Sequence, residues 1–319
     1  MAKGAKTKMD YPKRIGVVGA GAIGSLFGGL LGEGGLEVTL IDVWKEHIDA
    51  IRKHGLRMTG HGGDRVIKVK ATTDPKEAGK MDVVIIQTKA RHTADGARSA
   101  LPLLGEHTVA VSFQNGVGKE ETIGGIVGMT RMLGGTTAQG ANILEPGLVR
   151  NAGDLPTKIG ELDGRLSERA QKIAEAFSKA GLQTVVSENI KLDIWKKLMA
   201  NVAINPLSAL CNFTVGELFD ISEVKEVIFA AIDEAAKVAN AEGIKLDPNE
   251  AKDVLTQIMG KGGTRTNRSG MLIDVLGKKK TEIDVINGAI VRLGKKHGIP
   301  TPVNQTLVAA VKGLERNFS

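Results

Sequence analysis

Hydrophobic and polar positions follow two different periods along the chain. In the first half, short apolar runs that end in glycine or polar residues predict buried strands at 14–19, 37–42, 66–71, 82–88, 108–114, 132–136 and 183–187. Helices are predicted there up to about residue 32 and at 165–179, whereas the chain from residue 188 onward has a helical period, with helices at 189–211, 222–242, 248–260, 281–298 and 303–316. We therefore predict an α/β fold, with a doubly wound sheet over 14–187, a short hinge near 187–190 and an all-helical domain over 188–319.

The loop after the first strand carries the sequence Gly19-Ala20-Gly21-Ala22-Ile23-Gly24. In this strand-to-helix setting, the first glycine permits a tight turn, the second lets a pyrophosphate approach the backbone and the third lets helix and strand pack closely. The next strand ends in Asp42, 21 residues after Gly21, where a ribose-binding acid belongs. Glycines alone would also suit a helix-packing seam, but that alternative leaves Asp42 unexplained. The sequence thus predicts a Rossmann-type dinucleotide-binding domain.

The carboxylate of Asp42 bears on the choice of cofactor. It can accept hydrogen bonds from a free ribose 2′-hydroxyl and repels a 2′-phosphate, so NAD(H) is favoured. Lys45 and Arg52 follow closely and could reach a phosphate, which leaves NADP(H) open. Lys89 and Asn115 follow two later strands, and we expect both to face the cofactor crevice.

Length and charge limit the possible partners. A chain of 319 residues predicts two domains, and its net charge of +7 suggests an anionic partner. Residues 1–13 contribute +3 and residues 261–280 contribute +5, which leaves the other 286 residues at −1. A nucleic-acid-binding face is therefore not expected, and the composition of only seven Phe, two Trp and one Tyr provides few stacking platforms. We interpret 1–13 as a basic flexible tail and the second segment as a positive field that attracts small anions.

Cysteine, histidine and hydropathy patterns exclude other classes. One cysteine cannot form an internal disulfide, which favours the cytoplasm, and six unclustered histidines give no metal-site spacing. The uncharged stretch 15–32, which follows a basic N-terminus, resembles a signal peptide or a short membrane span in hydropathy, but seven of its residues are glycine. We expect neither a metal centre nor a membrane segment.

One predicted helix carries a polar stripe within apolar surroundings. At about 100° per residue, Lys197, Asn201, Asn205 and Ser208 lie within a sector roughly 80° wide. Such groups either satisfy one another in the core or line a cavity and meet a ligand. In the second case, a lysine and two amides offer donors to an anionic or carbonyl-bearing molecule. Glu282 near a predicted helix start can be a simple dipole-stabilising residue or the partner of Lys197.

Together these residues resemble the ketopantoate reductase (2-dehydropantoate 2-reductase) family. The resemblance covers nearly the whole chain after the tail, and the motifs that carry it are Gly19-x-Gly21-x-x-Gly24, Lys89, Gln114-Asn115-Gly116-Val117-Gly118, Trp195-x-Lys197-x-x-x-Asn201-x-x-x-Asn205-Pro206 and Thr281-Glu282-Ile283-Asp284-x-x-Asn287-Gly288. It implies a reductase that delivers hydride from a nicotinamide to the keto group of 2-dehydropantoate and forms D-pantoate for coenzyme A synthesis. A homodimer is a further expectation from the family.

The resemblance also implies roles for individual residues. Lys197 corresponds to the proton donor, Asn201 and Asn205 to substrate-orienting amides, and Asn115 to a residue near both ligands. Lys89 and Glu282 correspond to cofactor-side residues, and Glu282 would also keep Lys197 charged and oriented.

The chain departs from the family pattern at the expected substrate contacts. Gly270 replaces a serine, Ile273 replaces a glutamine, and Val215 stands where some members have an asparagine. Ser269 could take the place of the missing serine. These departures keep open an NAD-dependent D-2-hydroxyacid dehydrogenase on the same fold, which the Asp42 strand with Trp44 and His47 also suits. A dinucleotide-sensing protein without turnover is the alternative from another class, against which Lys197 and Glu282 together argue.

Overall fold

The computed structural model of the protein describes residues 11–260 and 265–318. Most of the predicted tail 1–13 and residues 261–264 of the second basic segment lie outside the described residues. The described chain divides into two compact units, one up to Gln114 with Lys119–Ile190, and one of Asn115–Gly118 with the chain from Lys191 onward. Asn115–Gly118 lies inside the predicted N-terminal domain but groups with the second unit.

The first unit contains all the described strands. They are β1 (Arg14–Val18), β2 (Glu37–Ile41), β3 (Leu56–Gly60), β4 (Arg65–Ile67), β5 (Lys70–Thr72), β6 (Met81–Ile86), β7 (Leu104–Ser112), β8 (Met132–Thr137), β9 (Ala141–Glu145), β10 (Leu148–Asn151), β11 (Thr157–Gly160) and β12 (Thr184–Val186). Its helices are α1 (Ala22–Glu33), α2 (Lys45–His54), α3 (Thr93–Ala100), α4 (Lys119–Val127) and α5 (Glu168–Lys179).

An eight-stranded sheet confirms the predicted fold class. Its strand order is β12-β11-β8-β7-β6-β1-β2-β5, and every neighbouring pair is parallel except β11 with β8. The chain leaves β1 first toward β2 and returns toward β6, so the strand order reverses at β1. Ligands of doubly wound folds bind at such a switch point, beyond the carboxyl ends of the strands. The glycine-rich sequence directly follows β1 and therefore lies at this position.

The predicted strand at 66–71 is wrong. The chain forms two strands there, β4 in a separate four-stranded sheet of order β4-β3-β10-β9, and β5 at the edge of the large sheet. Ile67 pairs with Leu56, and Ala71 pairs with Leu40. The apolar pattern continues from β4 into β5, because such a pattern shows which residues are buried. It does not show in which of two sheets they are buried. The small sheet itself was not predicted.

Helix α1 packs through a second set of glycines. A Cβ atom at Gly28 would lie 2.4 Å from Leu40 of the large sheet, and one at Gly29 would lie 2.4 Å from Met58 of the small sheet. The seam interpretation of the glycines thus holds for the body of α1, while those of the preceding loop have a different environment, described below. On the same face Phe27 meets Phe113 edge to face, with ring centroids 5.1 Å apart.

The second unit is helical, as predicted. Its helices are α6 (Ile190–Cys211), α7 (Val215–Phe219), α8 (Ser222–Ala241), α9 (Pro248–Gly260), α10 (Gly270–Leu276), α11 (Asn287–His297) and α12 (Pro302–Glu315). Buried apolar side chains from α6, α8 and α11 form its core, among them Val202, Ile232 and Ile290. None of the helices in 11–260 and 265–318 is long and apolar enough to cross a membrane.

The predicted helix start at residue 281 is wrong, since α11 begins at Asn287. Residues 282–286 form turns in which the Glu282 carbonyl accepts hydrogen bonds from the amides of Val285 and Ile286. Ile286 has φ −98° and ψ −96°, which no helical residue adopts. The apolar spacing that predicted a helix at 281–286 also fits a turn. Because Glu282 is not in the first turn of a helix, it does not stabilise a helix dipole.

Candidate active site

The glycine loop, residues 19–24, has the geometry of a phosphate-binding turn. Gly19 has φ +98°, and a Cβ atom there would lie 2.6 Å from the Thr88 amide nitrogen. A Cβ atom at Gly24 would lie 1.9 Å from the Gly19 carbonyl oxygen. Only glycine permits both approaches. At Gly21, in contrast, a Cβ atom meets nothing within 4 Å, so this backbone faces open space.

Helix α1 begins at Ala22, directly behind this open space. Its N-cap residue, Gly21, provides no side-chain cap, and no acidic side chain lies in its first turn. The first amides of a helix have no helical acceptor and carry partial positive charge. The amides of Ala22, Ile23 and Gly24 therefore suit a pyrophosphate, and the open face at Gly21 leaves room for it. These residues fit a dinucleotide.

Asp42 is half-buried just beyond β2. Its amide donates to the Thr72 carbonyl at 3.2 Å, and its Oδ1 accepts from the Trp44 amide at 2.9 Å. These bonds orient the carboxylate and leave Oδ2 for another donor. Lys45 forms an ion pair with Asp49, and Arg52 lies 3.7 Å from Glu77, so both cations considered for a 2′-phosphate have carboxylate partners.

The buried side chain of His47 is linked to the glycine loop through hydrogen bonds of Ser25. The Gly147 amide donates to His47 Nδ1 at 3.0 Å, which leaves Nε2 to carry the proton. His47 Nε2 lies 3.0 Å from Ser25 Oγ, and that hydroxyl donates to the Ala20 carbonyl at 2.8 Å. His47 is completely buried, and desolvation lowers its pKa. It is a neutral structural residue and does not face a ligand, although Trp44 stacks on its ring.

Lys89 is exposed beyond β6 and directly follows Thr88, which is hydrogen-bonded to Gln114. The Gln114 amide group donates to the Thr88 carbonyl at 2.6 Å and to Thr93 Oγ1 at 3.1 Å. Gln114 thereby ties together the segments that follow β6 and β7. The sequence did not predict these supporting roles of Gln114 and His47, because their partners lie 21 to 100 residues away.

Asn115 and Glu282, predicted from separate motifs, are brought together in the second unit. Asn115 Nδ2 donates to Glu282 Oε2 at 3.0 Å, and both residues are half-buried. Gly116 allows this approach, because it has φ +84° and a Cβ atom there would lie 2.3 Å from the Val285 carbonyl oxygen. The loop Asn115–Gly118 and the turn at 282–286 thus form one packed pair.

The predicted polar stripe lies on α6. Lys197, Asn201 and Asn205 are half-buried, and the amide nitrogen of Asn201 is buried without a hydrogen-bond partner among the described residues. Ser208 is fully buried and donates to the carbonyl of Phe213, which lies just beyond the end of α6, at 2.7 Å. Its hydroxyl hydrogen is therefore used within the protein, and the other three residues of the stripe remain as candidates for a ligand. A buried amide donor without a partner costs about 1–3 kcal/mol, which a ligand acceptor in that place would recover.

The residues that depart from the family pattern lie around α7 and α10. Ser269 is buried and its hydroxyl accepts the Leu272 amide at 3.0 Å, so it caps α10. Gly270 is open, with no atom within 4 Å of a Cβ built there. Ile273 is 45% exposed, whereas Val215 is buried. The described residues contain no cluster of three potential metal ligands.

Comparison with known proteins identifies the family. The model of ketopantoate reductase PanE/ApbA matches residues 15–164, and the model of its C-terminal domain matches residues 189–315. The 2-dehydropantoate 2-reductase of Pyrococcus horikoshii is 39% identical over 302 residues, which cover 95% of this chain and 97% of that protein. In that relative and others of the same name, the alignment spans nearly the full chain.

Two solved structures have the same fold over 96% of this chain and 99% of theirs. The ternary structure of D-mandelate dehydrogenase with NADH and anilino(oxo)acetate has a TM-score of 0.90 at 31% identity. The PanE/ApbA family ketopantoate reductase from Ralstonia eutropha JMP134 has a TM-score of 0.86, also at 31% identity. The chain therefore belongs to the ketopantoate reductase PanE/ApbA family and is an oxidoreductase that uses a nicotinamide dinucleotide.

Proposed function

We propose that the protein reduces 2-dehydropantoate to D-pantoate with a reduced nicotinamide dinucleotide. The observation that carries the proposal is the polar stripe of α6, in which a buried Asn201 amide nitrogen lacks a partner among the described residues and lies at helical spacing from Lys197 and Asn205. Three donors on one face suit a 2-oxo acid, which has a carboxylate and a keto oxygen.

The α6 donors act on charge that develops during the reaction. When bound, the nicotinamide supplies the hydride that adds to the keto carbon. The keto oxygen gains negative charge as this bond forms, and the Lys197 ammonium stabilises that charge and then transfers a proton to the oxygen. Asn201 and Asn205 hold the acid in the orientation that places its oxygen at Lys197. The products are the 2-hydroxy acid and the oxidised dinucleotide.

Glu282 and Asn115 form the cofactor side of the proposed site. The Asn115 amide has donated one hydrogen to Glu282, so its second hydrogen and its oxygen are available to a ligand. The role of keeping Lys197 charged and oriented is assigned to Glu282 on the family resemblance. Lys89 is assigned to the cofactor and Ser269 to the substrate on the family resemblance, and the hydroxyl of Ser269, which already accepts from Leu272, can donate to the acid.

Replacing Lys197 tests the chemistry directly. Lys197→Ala removes the proton donor, and we expect kcat to fall by a factor of about 100 or more with NADH dissociation constants changed less than about threefold. Lys196→Ala is the matched control, because the neighbouring lysine is exposed and pairs with Glu250 at 2.7 Å. Equal kcat in the two variants would exclude Lys197 as the donor. Cofactor binding without turnover of any 2-oxo acid by the unmodified protein would favour a dinucleotide sensor.

Asp42 supports NADH over NADPH. The carboxylate is oriented by the Trp44 amide, and Lys45 and Arg52 are engaged with Asp49 and Glu77. A 2′-phosphate would therefore meet a fixed negative charge. The expected result is a higher kcat/KM with NADH than with NADPH, and the reverse order would refute the role of Asp42.

A second candidate is an NAD-dependent D-2-hydroxyacid dehydrogenase. The similarity to D-mandelate dehydrogenase in complex with NADH favours it, and so do the departures at Gly270, Ile273 and Val215. Nicotinamide oxidation with 2-dehydropantoate beside pyruvate-like, branched and aromatic 2-oxo acids distinguishes the two.

Gly270 gives a direct test of substrate choice. Because a side chain there meets no atom within 4 Å, Gly270→Ser restores the family's serine without a packing cost. We expect it to raise kcat/KM for 2-dehydropantoate relative to an aromatic 2-oxo acid, whereas an unchanged ratio would exclude Gly270 from setting specificity.

Two further expectations belong to this proposal. The family resemblance favours a homodimer, which light scattering of the purified protein measures. A single cysteine favours a reducing compartment, the cytoplasm, which fractionation of the source cell would test.

A further inference from the structure

A proline interrupts the hydrogen bonds of α6 beside its polar stripe. Pro206 lies inside the helix and has no amide hydrogen to donate to the Val202 carbonyl four residues earlier. Asn201 directly precedes Val202, and Asn205 directly precedes Pro206. The two amides assigned to the substrate therefore flank the place where the helix lacks its own support.

Asn287 supplies the missing donor. Its side-chain nitrogen donates to the Val202 carbonyl at 3.0 Å and to Asn304 Oδ1 at 2.9 Å, so both of its hydrogens are used. Asn287 and Asn304 are completely buried. The acceptor lies 85 residues away in the chain, so this bond joins α6 to the first residue of α11.

The acceptors bonded to Asn304 fix the direction of this chain of amides. Glu234 accepts from the Val303 amide at 2.8 Å, and from the Asn304 backbone and side-chain nitrogens at 2.9 and 2.8 Å. The Asn304 side-chain nitrogen also donates to the Ala231 carbonyl at 3.1 Å, and because a carbonyl only accepts, the Asn304 side chain must present nitrogen on this side and oxygen to Asn287. Asn287 must then present its nitrogen, which is the atom that the Val202 carbonyl needs.

We propose that Asn287 is a positioning residue that sets the substrate-binding stretch of α6 relative to Glu282. This inference rests on the proposed function. Asn287 follows Glu282 by five residues, and it is bonded to the carbonyl between Asn201 and Asn205. Its amide hydrogens go to Val202 and Asn304 and not to the proposed substrate groups, but it fixes the distance between two parts of the site. Glu234 and Asn304 hold it in that orientation.

Removing the proline supplies a second possible donor to the Val202 carbonyl, which provides the test. In Pro206→Ala, residue 206 regains an amide hydrogen that can donate to Val202 within the helix. We compare the unmodified protein, Asn287→Ala, Pro206→Ala and the double variant, measuring kcat, 2-oxo acid KM and NADH dissociation constants well below each unfolding midpoint. Asn287→Ala is expected to lower kcat by a factor of about 10 to 100 while the NADH constant changes less than about threefold.

The double variant separates positioning from general stability. We expect kcat of the double variant to be at least about tenfold higher than kcat of Asn287→Ala. Equal kcat in Asn287→Ala and the double variant, or no loss in Asn287→Ala, would overturn the proposal. If Asn287→Ala does not fold, recovery of folded, active double variant supports the proposal and failure of both overturns it.

A failed proposed function gives a different result. No turnover of 2-oxo acids by the unmodified protein refutes that function, and the unfolding midpoints of the same four proteins then test the link between Asn287 and Val202. Non-additive midpoints support the link, and additive midpoints overturn it.

Discussion

Alanine substitutions at Gly116 and Gly118 test whether the close packing around Asn115 and Glu282 is needed for turnover. Both glycines lie in one loop and have positive φ, +84° and +90°. A methyl group at Gly118 would meet no atom within 4 Å, whereas one at Gly116 would lie 2.3 Å from the Val285 carbonyl oxygen. Gly118→Ala therefore introduces backbone strain alone, and Gly116→Ala adds a clash to the same strain.

The magnitudes follow from these contacts. A left-handed alanine costs roughly 1–2 kcal/mol in either variant. In Gly116→Ala, the loop must also move by about 0.7 Å, which takes the 2.3 Å contact to the 3.0 Å minimum for real Cβ atoms. The same movement along the 3.0 Å bond between Asn115 and Glu282 would lengthen it beyond 3.5 Å, where it no longer counts as a hydrogen bond. A displacement near 1 Å in an active site can cost a factor of about 100 in rate.

Urea unfolding and steady-state kinetics together check the prediction. Both variants should lose about 1–2 kcal/mol of unfolding free energy from the strain, with a larger loss in Gly116→Ala. The value of kcat/KM should be at least about tenfold lower in Gly116→Ala than in Gly118→Ala. Equal kcat/KM in the two variants would show that the Asn115–Glu282 contact is irrelevant to turnover and would refute the argument.

Two further predictions concern the glycine loop and its support. Because desolvation lowers the pKa of His47, the unfolded chain binds a proton below about pH 6.5 that the folded protein does not, so the free energy of unfolding falls as the pH drops through that value. His47→Gln should remove this part of the pH dependence in urea unfolding, whereas His107→Gln, at an exposed histidine, should leave it; equal slopes in all three proteins would contradict the assignment. Gly21→Ala should cost at most about 1 kcal/mol of stability yet raise the NADH dissociation constant at least about tenfold, since its methyl group enters the open space assigned to the pyrophosphate. Gly24→Ala, with a Cβ atom 1.9 Å from the Gly19 carbonyl oxygen, should instead fail to fold stably, and an unchanged NADH constant in Gly21→Ala would exclude the loop as the phosphate site.

Local patterns were sufficient for most elements. Short apolar runs located six of the eight strands of the large sheet, whereas β11 was not predicted and β5 was merged with β4; the 22 residues of α6 followed from their helical period. The glycine loop was also predicted, because its residues are adjacent in sequence and the contact of Gly24 with Gly19 is local, although the approach of Gly19 to Thr88 is not. The same local logic failed at 66–71 and 281–286, where one apolar spacing suits two structures.

Contacts between distant residues could not be derived from the sequence. Nothing near His47 indicates that the Gly147 amide fixes its tautomer, and nothing near Asn287 indicates that it serves a carbonyl 85 residues earlier. Nothing near Gly116 indicates that the Val285 carbonyl lies against it. Each of these depends on which buried group lies opposite, and that is a property of packing.

The sequence by itself determined the fold class, the glycine loop, Asp42 and the polar stripe of α6, because periodicity, turn chemistry and capping act over a few residues. Only the tertiary structure decided that Ser208 is bonded to the Phe213 carbonyl, that the Asn201 amide nitrogen has no partner among the described residues, and that Asn287 supplies the donor that Pro206 lacks. The reason is that a buried polar group must find a partner, and the fold determines which groups come within hydrogen-bond distance.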